Sequence, residues 1–354
     1  MSKKILSIVG ARPQFIKLSA LSKKINDHFN EVIVHTGQHY DENMSEVFFQ
    51  ELGISKPQYN LNIGSGYHGV QTGEMMKKLE EVLEKELPDL VIIFGDTNST
   101  LAGALVASKM GIKIVHVEAG LRSFNRAMPE EINRVVADHV SDYLYAPNNV
   151  ALNNLTKEGL AEKANVTGDI MVDSVTENAK KATERNGILD RLKVEDRKYY
   201  LATLHRPYNV DDPENLKLIL KEFSHLTHPV IFPIHPRTRK VINENIIKVP
   251  DSVILIEPLG YIDFICLQQH SHKIITDSGG IQKEAYILKK PCITLRSETE
   301  WVETVISGWN LLINISESSN FSSLIESFCP PNRHEPLFGE NVAEKMVTHI
   351  KQIL

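Results

Sequence analysis

DLVIIFGDTNSTLAGALVASKMGIKIVHVEAGLRSFNRAMPEEINR, residues 89–134, is the stretch on which the fold turns. Two short apolar runs, Leu90–Phe94 and Ile114–Val117, flank a small-residue segment from Thr100 to Met110. Runs this short and this continuously apolar fit strands buried on both faces, and the segment between them has the length of a helix. Together they predict a βαβ unit with parallel strands. The runs are followed by acids, Asp96 and Glu118, and another acidic pair, Glu130 and Glu131, comes after a loop. Ligands of open α/β sheets bind beyond the carboxyl ends of the strands. Two or three carboxylates are therefore expected to converge on one site.

Working outward, Ile5–Val9 reads as a strand, and GARPQFIKLSAL after it turns into an amphipathic helix. A strand that ends on Gly before a helix suggests a phosphate-contacting loop. The pattern is not GxGxxG, so a dinucleotide fingerprint is absent. Glu31–Thr36 is a second strand, residues 43–52 a helix, residues 57–66 an irregular loop and residues 69–86 a long helix. Asp142–Ala146 and a short run ending at Val166 are further strands. Residues 173–197 are polar and helical and connect the domains. The alternation then restarts with strands at Tyr199–Leu204, Val230–Ile234, Val253–Glu257, Lys273–Thr276, Cys292–Leu295 and Leu311–Ile315. Two successive βα blocks predict an α/β protein of two doubly wound, Rossmann-like parallel-sheet domains facing each other across a cleft. The expected boundaries are 1–172 and 173–339, with a terminal helix over 340–354 packing back on the first domain.

Composition narrows the function classes. The 354 residues are 42% hydrophobic and 24% charged, as in an ordinary globular protein with a substantial core. A formal charge of −6 lacks the basic footprint of a nucleic-acid or membrane partner. No apolar stretch approaches a membrane span, and Met-Ser-Lys-Lys leads straight into a strand without a signal region. Cys266, Cys292 and Cys329 lack CxxC spacing and read as reduced thiols of a cytoplasmic protein. His35, His39 and His116 show no HExxH spacing, so no metal is expected, and no GxSxG marks a serine nucleophile.

ITDSGGIQKEA, residues 275–285, is the second anchor. Ser278, Gly279 and Gly280 open a helix whose free N–H groups suit an anion, most naturally a diphosphate. Glu284, a turn further on, can accept from the hydroxyls of a ribose. A plain capped turn, with Ser278 as N-cap, is the other way to read it. TLHRPYN (203–209) and PIHPRTR (233–239) each end a strand on a histidine, His205 and His235, with arginines nearby. A histidine there can contact phosphate or act as an acid. Asp96 alone could cap the following turn, and Glu130-Glu131 could simply favour a first helical turn. Clustered carboxylates repel, so at least one is expected to have a raised pKa.

These motifs, with TGQHYDENM, FGDTNSTLAGALVASK and VEAGLRSFNRAMPEEINR, resemble the non-hydrolysing UDP-N-acetylglucosamine 2-epimerases from about Ile5 to Gly308. The resemblance implies a two-domain fold like the B-type glycosyltransferases, a homodimer, and neither metal nor nicotinamide cofactor. It implies elimination of UDP to a 2-acetamidoglucal and re-addition. It makes Asp96, Glu118 and Glu131 the acidic trio, with Lys17 and His235 also catalytic. Arg12, His205, Arg206, Ser278, Gly279, Gly280 and Glu284 become UDP-binding residues, and Gln38 and Gln71 candidates for a regulatory UDP-sugar site. One departure stands out: where the family reads Glu-Arg-Pro-Glu, this chain has Glu300-Trp301-Val302-Glu303. Trp301 is similar to the branch acting on UDP-2,3-diacetamido-2,3-dideoxyglucuronate, which leaves two UDP-acetamido sugars open. A glycosyltransferase of the same fold, a hydrolysing epimerase and a UDP-sugar sensor are the competing classes.

Overall fold

The computed structural model describes residues 3–38, 49, 51–184, 187–318 and 320–354. The helix expected over 43–52 falls mainly outside the described residues, as does His39. The chain divides into two compact units, Met1–Ser174 with Phe338–Leu354, and Val175–Leu337.

The first unit is built on strands β1 (Lys4–Val9), β2 (Asn30–His35), β3 (Tyr59–Asn60), β4 (Leu90–Phe94), β5 (Lys113–Val117), β6 (Tyr143–Ala146) and β7 (Ala164–Val166). Their order is β3-β2-β1-β4-β5-β6-β7, and the strand pairs are parallel. The second has β8 (Tyr200–Thr203), β9 (Val230–Pro233), β10 (Val253–Ile256), β11 (Lys273–Thr276), β12 (Cys292–Thr294) and β13 (Asn310–Leu312), in the order β10-β9-β8-β11-β12-β13, again parallel. Both are doubly wound α/β sheets. β3 lies in the stretch that reads as irregular loop; it pairs only through Tyr59 and Asn60, too short a run to show alternation.

The winding direction reverses once in each sheet, between β1 and β4 and between β8 and β11. Loops leaving the strands on either side of a reversal diverge, and a crevice opens there. The residues following these four strands are Gly10–Arg12, Gly95–Asp96, Leu204–Arg206 and Asp277–Gly280. Arg12, Asp96, His205, Arg206 and Ser278–Gly280 thus sit at the two reversals for a topological reason.

The core of the first unit packs Leu6, Ile8, Val91 and Ile93 against Met75, Leu79 and Leu83 of helix His68–Glu86 and Ala102, Val106 and Ala107 of helix Asn98–Lys109. In the second unit Tyr200, Ala202, Phe232 and Ile275 pack against Leu216, Ile219 and Phe223 of helix Pro213–Phe223. Each large apolar side chain buried this way contributes roughly 1.5–3 kcal/mol. The terminal helix Val342–Ile353 packs on helix Arg12–Asn26. The Ala343 amide donates to Asp173 at 2.6 Å, and Tyr145 is hydrogen-bonded to His349 at 2.9 Å. No helix among the described residues is long and apolar enough to cross a membrane.

Candidate active site

β4 runs into a turn at Gly95, whose φ of +64° is left-handed. A Cβ there would also come within 3.3 Å of both Glu118 Oε2 and Lys17 Nζ, so glycine is required twice over. Asp96 follows. The N-cap of helix Asn98–Lys109 is Thr97, whose hydroxyl accepts from the Thr100 amide, so the capping role open to Asp96 is filled by its neighbour. Asp96 instead receives Arg134 Nη2 at 2.5 Å, and Nη1 of the same guanidinium lies 3.3 Å from Glu131. Glu131 is buried and accepts from the Ser123 amide (2.8 Å), the Ser123 hydroxyl (3.0 Å) and the Phe124 amide (3.1 Å). Glu130, one step round helix Pro129–Val140, is exposed. Helical register therefore selects Glu131 from the acidic pair.

Glu118 leaves β5 with φ +71°, a left-handed conformation that costs a non-glycine residue about 1–3 kcal/mol. The amides of Glu118 and Ala119 both donate to the Tyr145 carbonyl, at 3.1 and 3.0 Å, and hold the turn. The Glu118 carboxylate is ion-paired with Lys17 of helix Arg12–Asn26. Lys17 and Arg134 thus bring positive charge to all three acids. For Glu131 the shift is downward. Burial pushes its carboxyl up, but the Ser123 and Phe124 hydrogen bonds and the Arg134 charge outweigh it and hold the group below its ordinary value. Among the described residues no three His, Cys, Asp or Glu side chains are grouped to hold a metal ion.

The Gly10 turn differs from its sequence reading. Gln14 Oε1 accepts from the Gly10 and Ala11 amides at 2.7 and 3.0 Å, and Nε2 donates to the Phe94 carbonyl at 2.8 Å. The amides expected to meet a phosphate are already used to tie β1 to β4. Arg12, the first residue of the helix, is exposed.

In the second unit Ser278 is the N-cap of helix Gly279–Ile287, but its hydroxyl makes no capping bond. The Glu300 and Trp301 side chains lie directly against Gly279. An added Cβ would sit 1.9 Å from Glu300 Oε1 and 3.2 Å from Trp301 Nε1. Trp301 is buried, with Lys283 Nζ 4.2 Å from its ring centroid, and Glu300 pairs with Arg296 at 2.7 Å. The departing residue Trp301 therefore belongs to the Ser278–Gly280 turn. Glu284 is buried; it accepts from Gln268 Nε2 at 2.6 Å and Tyr261 Oη at 3.2 Å, which fix its carboxylate.

Asp277 organises the neighbouring loop. Fully buried, it accepts from the His205 amide (3.1 Å), the Arg206 amide (2.9 Å) and Asn209 Nδ2 (2.9 Å). Burial raises its pKa, but the bonds from His205, Asn209 and Arg206 outweigh that and hold it below the usual value. The His205 ring is 57% exposed, so it can still face a ligand. His235 is the exposed N-cap of helix Pro236–Glu244, its Nδ1 accepting from the Arg237 amide at 3.2 Å.

Gln38 and Gln71 both brace the start of helix Asn98–Lys109. Gln38 Oε1 accepts from the Ser99 hydroxyl (2.7 Å) and amide (3.1 Å), and Gln71 accepts from Asn98 Nδ2 (2.7 Å) while donating to the Gly64 carbonyl (2.6 Å).

An acidic trio matched by Lys17 and Arg134, on a doubly wound unit followed by a second with an uncapped glycine turn, is a constellation that can be compared with known proteins. The profile of the UDP-N-acetylglucosamine 2-epimerase family matches residues 23–351. The chain belongs to that family. Its relatives include a UDP-N-acetylglucosamine 2-epimerase homolog of Methanococcus maripaludis, 53% identical over 99% of this chain and 100% of the relative. The UDP-2,3-diacetamido-2,3-dideoxy-D-glucuronate 2-epimerase of Pseudomonas aeruginosa is 51% identical over 88% of each chain. The crystal structure of Methanocaldococcus jannaschii UDP-GlcNAc 2-epimerase in complex with UDP-GlcNAc and UDP superposes with a TM-score of 0.84, at 43% identity over 99% of both chains. As a member of this epimerase family the chain is an isomerase with a two-domain fold like that of the B-type glycosyltransferases.

Several of the residues that shape the site escape a sequence reading. Arg134 stands three positions after Glu131, a spacing that flags a helical ion pair. Tyr261, Gln268 and Asp277 carry no such signal, because their partners are distant in the chain.

Proposed function

We propose that this protein inverts C2 of UDP-N-acetylglucosamine, interconverting it with UDP-N-acetylmannosamine. The route is anti elimination of UDP to a 2-acetamidoglucal, followed by re-addition. The C2 proton has no adjacent carbonyl to acidify it; departure of UDP makes C1 electron-poor and C2–H removable. Elimination and re-addition are together redox-neutral, so the reaction calls for no nicotinamide. The observation that carries the proposal is that Asp96, Glu118 and Glu131 are each held by a cation, Glu118 by Lys17 and the other two by Arg134.

Asp96, Glu118 and Glu131 take the C2 proton as UDP leaves C1 and return a proton to the opposite face of C2 as UDP adds back. Glu131, held below its ordinary pKa, suits the role of acceptor. Lys17 orients Glu118 through their ion pair. The Ser278, Gly279 and Gly280 amides, Arg12, Arg206, His205 and His235 stabilise the leaving diphosphate, and Glu284 accepts from the ribose. The working enzyme is placed in the cytoplasm as a homodimer, on the strength of the family resemblance.

Incubation with UDP-N-acetylglucosamine in deuterated water tests this. Deuterium at C2 of a UDP-linked product is expected. Free sugar plus UDP without a UDP-linked epimer would make the enzyme hydrolysing instead, and no exchange on any UDP-acetamido sugar would overturn both.

A second reading, the same inversion on UDP-2,3-diacetamido-2,3-dideoxyglucuronate, is favoured by Trp301 against Gly279 and by the Pseudomonas aeruginosa relative. Comparison of kcat/KM for the two UDP-sugars decides between them.

A further inference from the structure

We propose that Asp138, which none of the steps above uses, is the residue that positions all three acids. The inference rests on reading Asp96, Glu118 and Glu131 as the catalytic carboxylates. Asp138 lies on helix Pro129–Val140, two turns beyond Glu131, and its side chain is wholly buried. Three connections leave it.

The first runs through His116, also wholly buried. Asp138 Oδ1 is 2.7 Å from His116 Nδ1, and the opposite ring nitrogen, Nε2, is 2.7 Å from the Gly95 carbonyl oxygen. A carbonyl only accepts, so Nε2 donates. The rigid ring spans Asp138 and the peptide unit immediately before Asp96. The second connection is direct: Asp138 Oδ2 accepts from the Gly120 amide at 3.1 Å, pinning the turn through which the chain leaves Glu118. The third runs through Arg122, whose side chain is 1% exposed and whose Nη2 is 2.7 Å from Asp138 Oδ2. Arg122 also clasps Glu158 through two bonds of 2.7 Å. The next residue, Ser123, donates its amide and hydroxyl to Glu131.

Each acid-bearing segment is thus one side chain or one hydrogen bond away from the same carboxylate. Apolar replacement of a buried ionic cluster is often neutral or stabilising, so stability alone gives no reason for Asp138 to be charged. Fixing three separate loops to one rigid helix does. The chain places acids on loops after β4 and β5 and on a helix, and a shared buried anchor ties the three segments together. Asp138 does not touch the substrate in this scheme. It acts as a positioning residue.

The experiment compares Asp138→Leu, Asp138→Asn and His116→Gln with Asp96→Asn and Glu118→Gln, measuring kcat, KM, UDP affinity by calorimetry and folding by circular dichroism. Asp138→Leu keeps the branched outline and removes all three links. Its kcat is expected to fall roughly 100-fold, the cost of a small misplacement of reacting groups, with KM and UDP affinity within about threefold. Asp138→Asn retains an oxygen for Gly120 and Arg122 and turns an N–H toward His116. It is expected to recover at least about tenfold of that loss, which a mere packing role would not reproduce. His116→Gln, which severs only the Gly95 link, is expected to lose kcat by roughly tenfold. A folded Asp138→Leu with native kcat, or one whose loss lies in KM and UDP affinity alone, overturns the proposal. Should Asp138→Leu fail to fold, native kcat in His116→Gln overturns it. If Asp96→Asn and Glu118→Gln also retain native turnover, the reading of the acids itself falls. If those two are inactive while the Asp138 and His116 variants are native, only the positioning role does.

Discussion

Lys17 and Glu118, 101 positions apart in the chain, form an ion pair in which their side chains are only 9% and 11% exposed. A pair this withdrawn is little screened by water, and removing one partner strands the other charge. Lys17→Met is therefore expected to destabilise the first unit by about 3 kcal/mol and to abolish C2 exchange. The double variant Lys17→Met, Glu118→Gln is expected to regain stability but not turnover. Urea unfolding and deuterium incorporation at C2 check the two halves; equal recovery of both would remove the pair from the chemistry.

Arg134 bridges Asp96 and Glu131 through its two terminal nitrogens. Arg134→Gln is expected to lower kcat roughly 100-fold by releasing both carboxylates. Arg134→Lys should recover only part of this, because an ammonium lacks the planar fork that reaches two acids at once. Steady-state kinetics on the purified variants decides, with full recovery in Arg134→Lys as the contrary result.

Asp277 links stability to pH. Its folded-state pKa lies below the ordinary value of about 4 that it has in the unfolded chain, so the unfolded state binds more protons in that range. Its contribution is complete above the unfolded pKa and is lost as pH falls through the depressed folded one. Urea midpoints are expected to drop on acidification from neutral pH to below 4, and to drop less in Asp277→Asn. An unchanged acid dependence in that variant would count against the assignment.

Gly279→Ala places a Cβ where Glu300 Oε1 and Trp301 Nε1 now lie. Glu300 is 45% exposed and can swing aside, so the melting temperature is expected to move by only a few degrees. UDP affinity is expected to fall at least about tenfold, because the methyl group keeps the diphosphate from the turn. Calorimetric titration with UDP measures it; native affinity would take the Ser278–Gly280 turn out of the binding site.

The double winding is legible from the chain alone. Buried parallel strands are continuously apolar runs, and Leu90–Phe94 or Val230–Phe232 announce themselves without any partner. So do the acids at strand ends and the paired glycines at 279 and 280, because strand, loop and helix N-terminus are local features. Boundaries shift by a residue or two where caps decide them, as at Thr97, and β3 is too short to be periodic.

What the tertiary structure alone decides is partnership. Whether Asp96 caps its own helix or meets Arg134, which of Glu130 and Glu131 turns inward, that Gln14 reaches the Phe94 carbonyl, and that Trp301 rests on Gly279 all depend on contacts between distant segments. The physical reason is range. Hydrophobic periodicity and turn chemistry act over a few neighbouring residues, and one sequence displays them. Hydrogen bonds and ion pairs act over about 3 Å in space, and only folding brings Lys17 to Glu118 or His116 to Gly95.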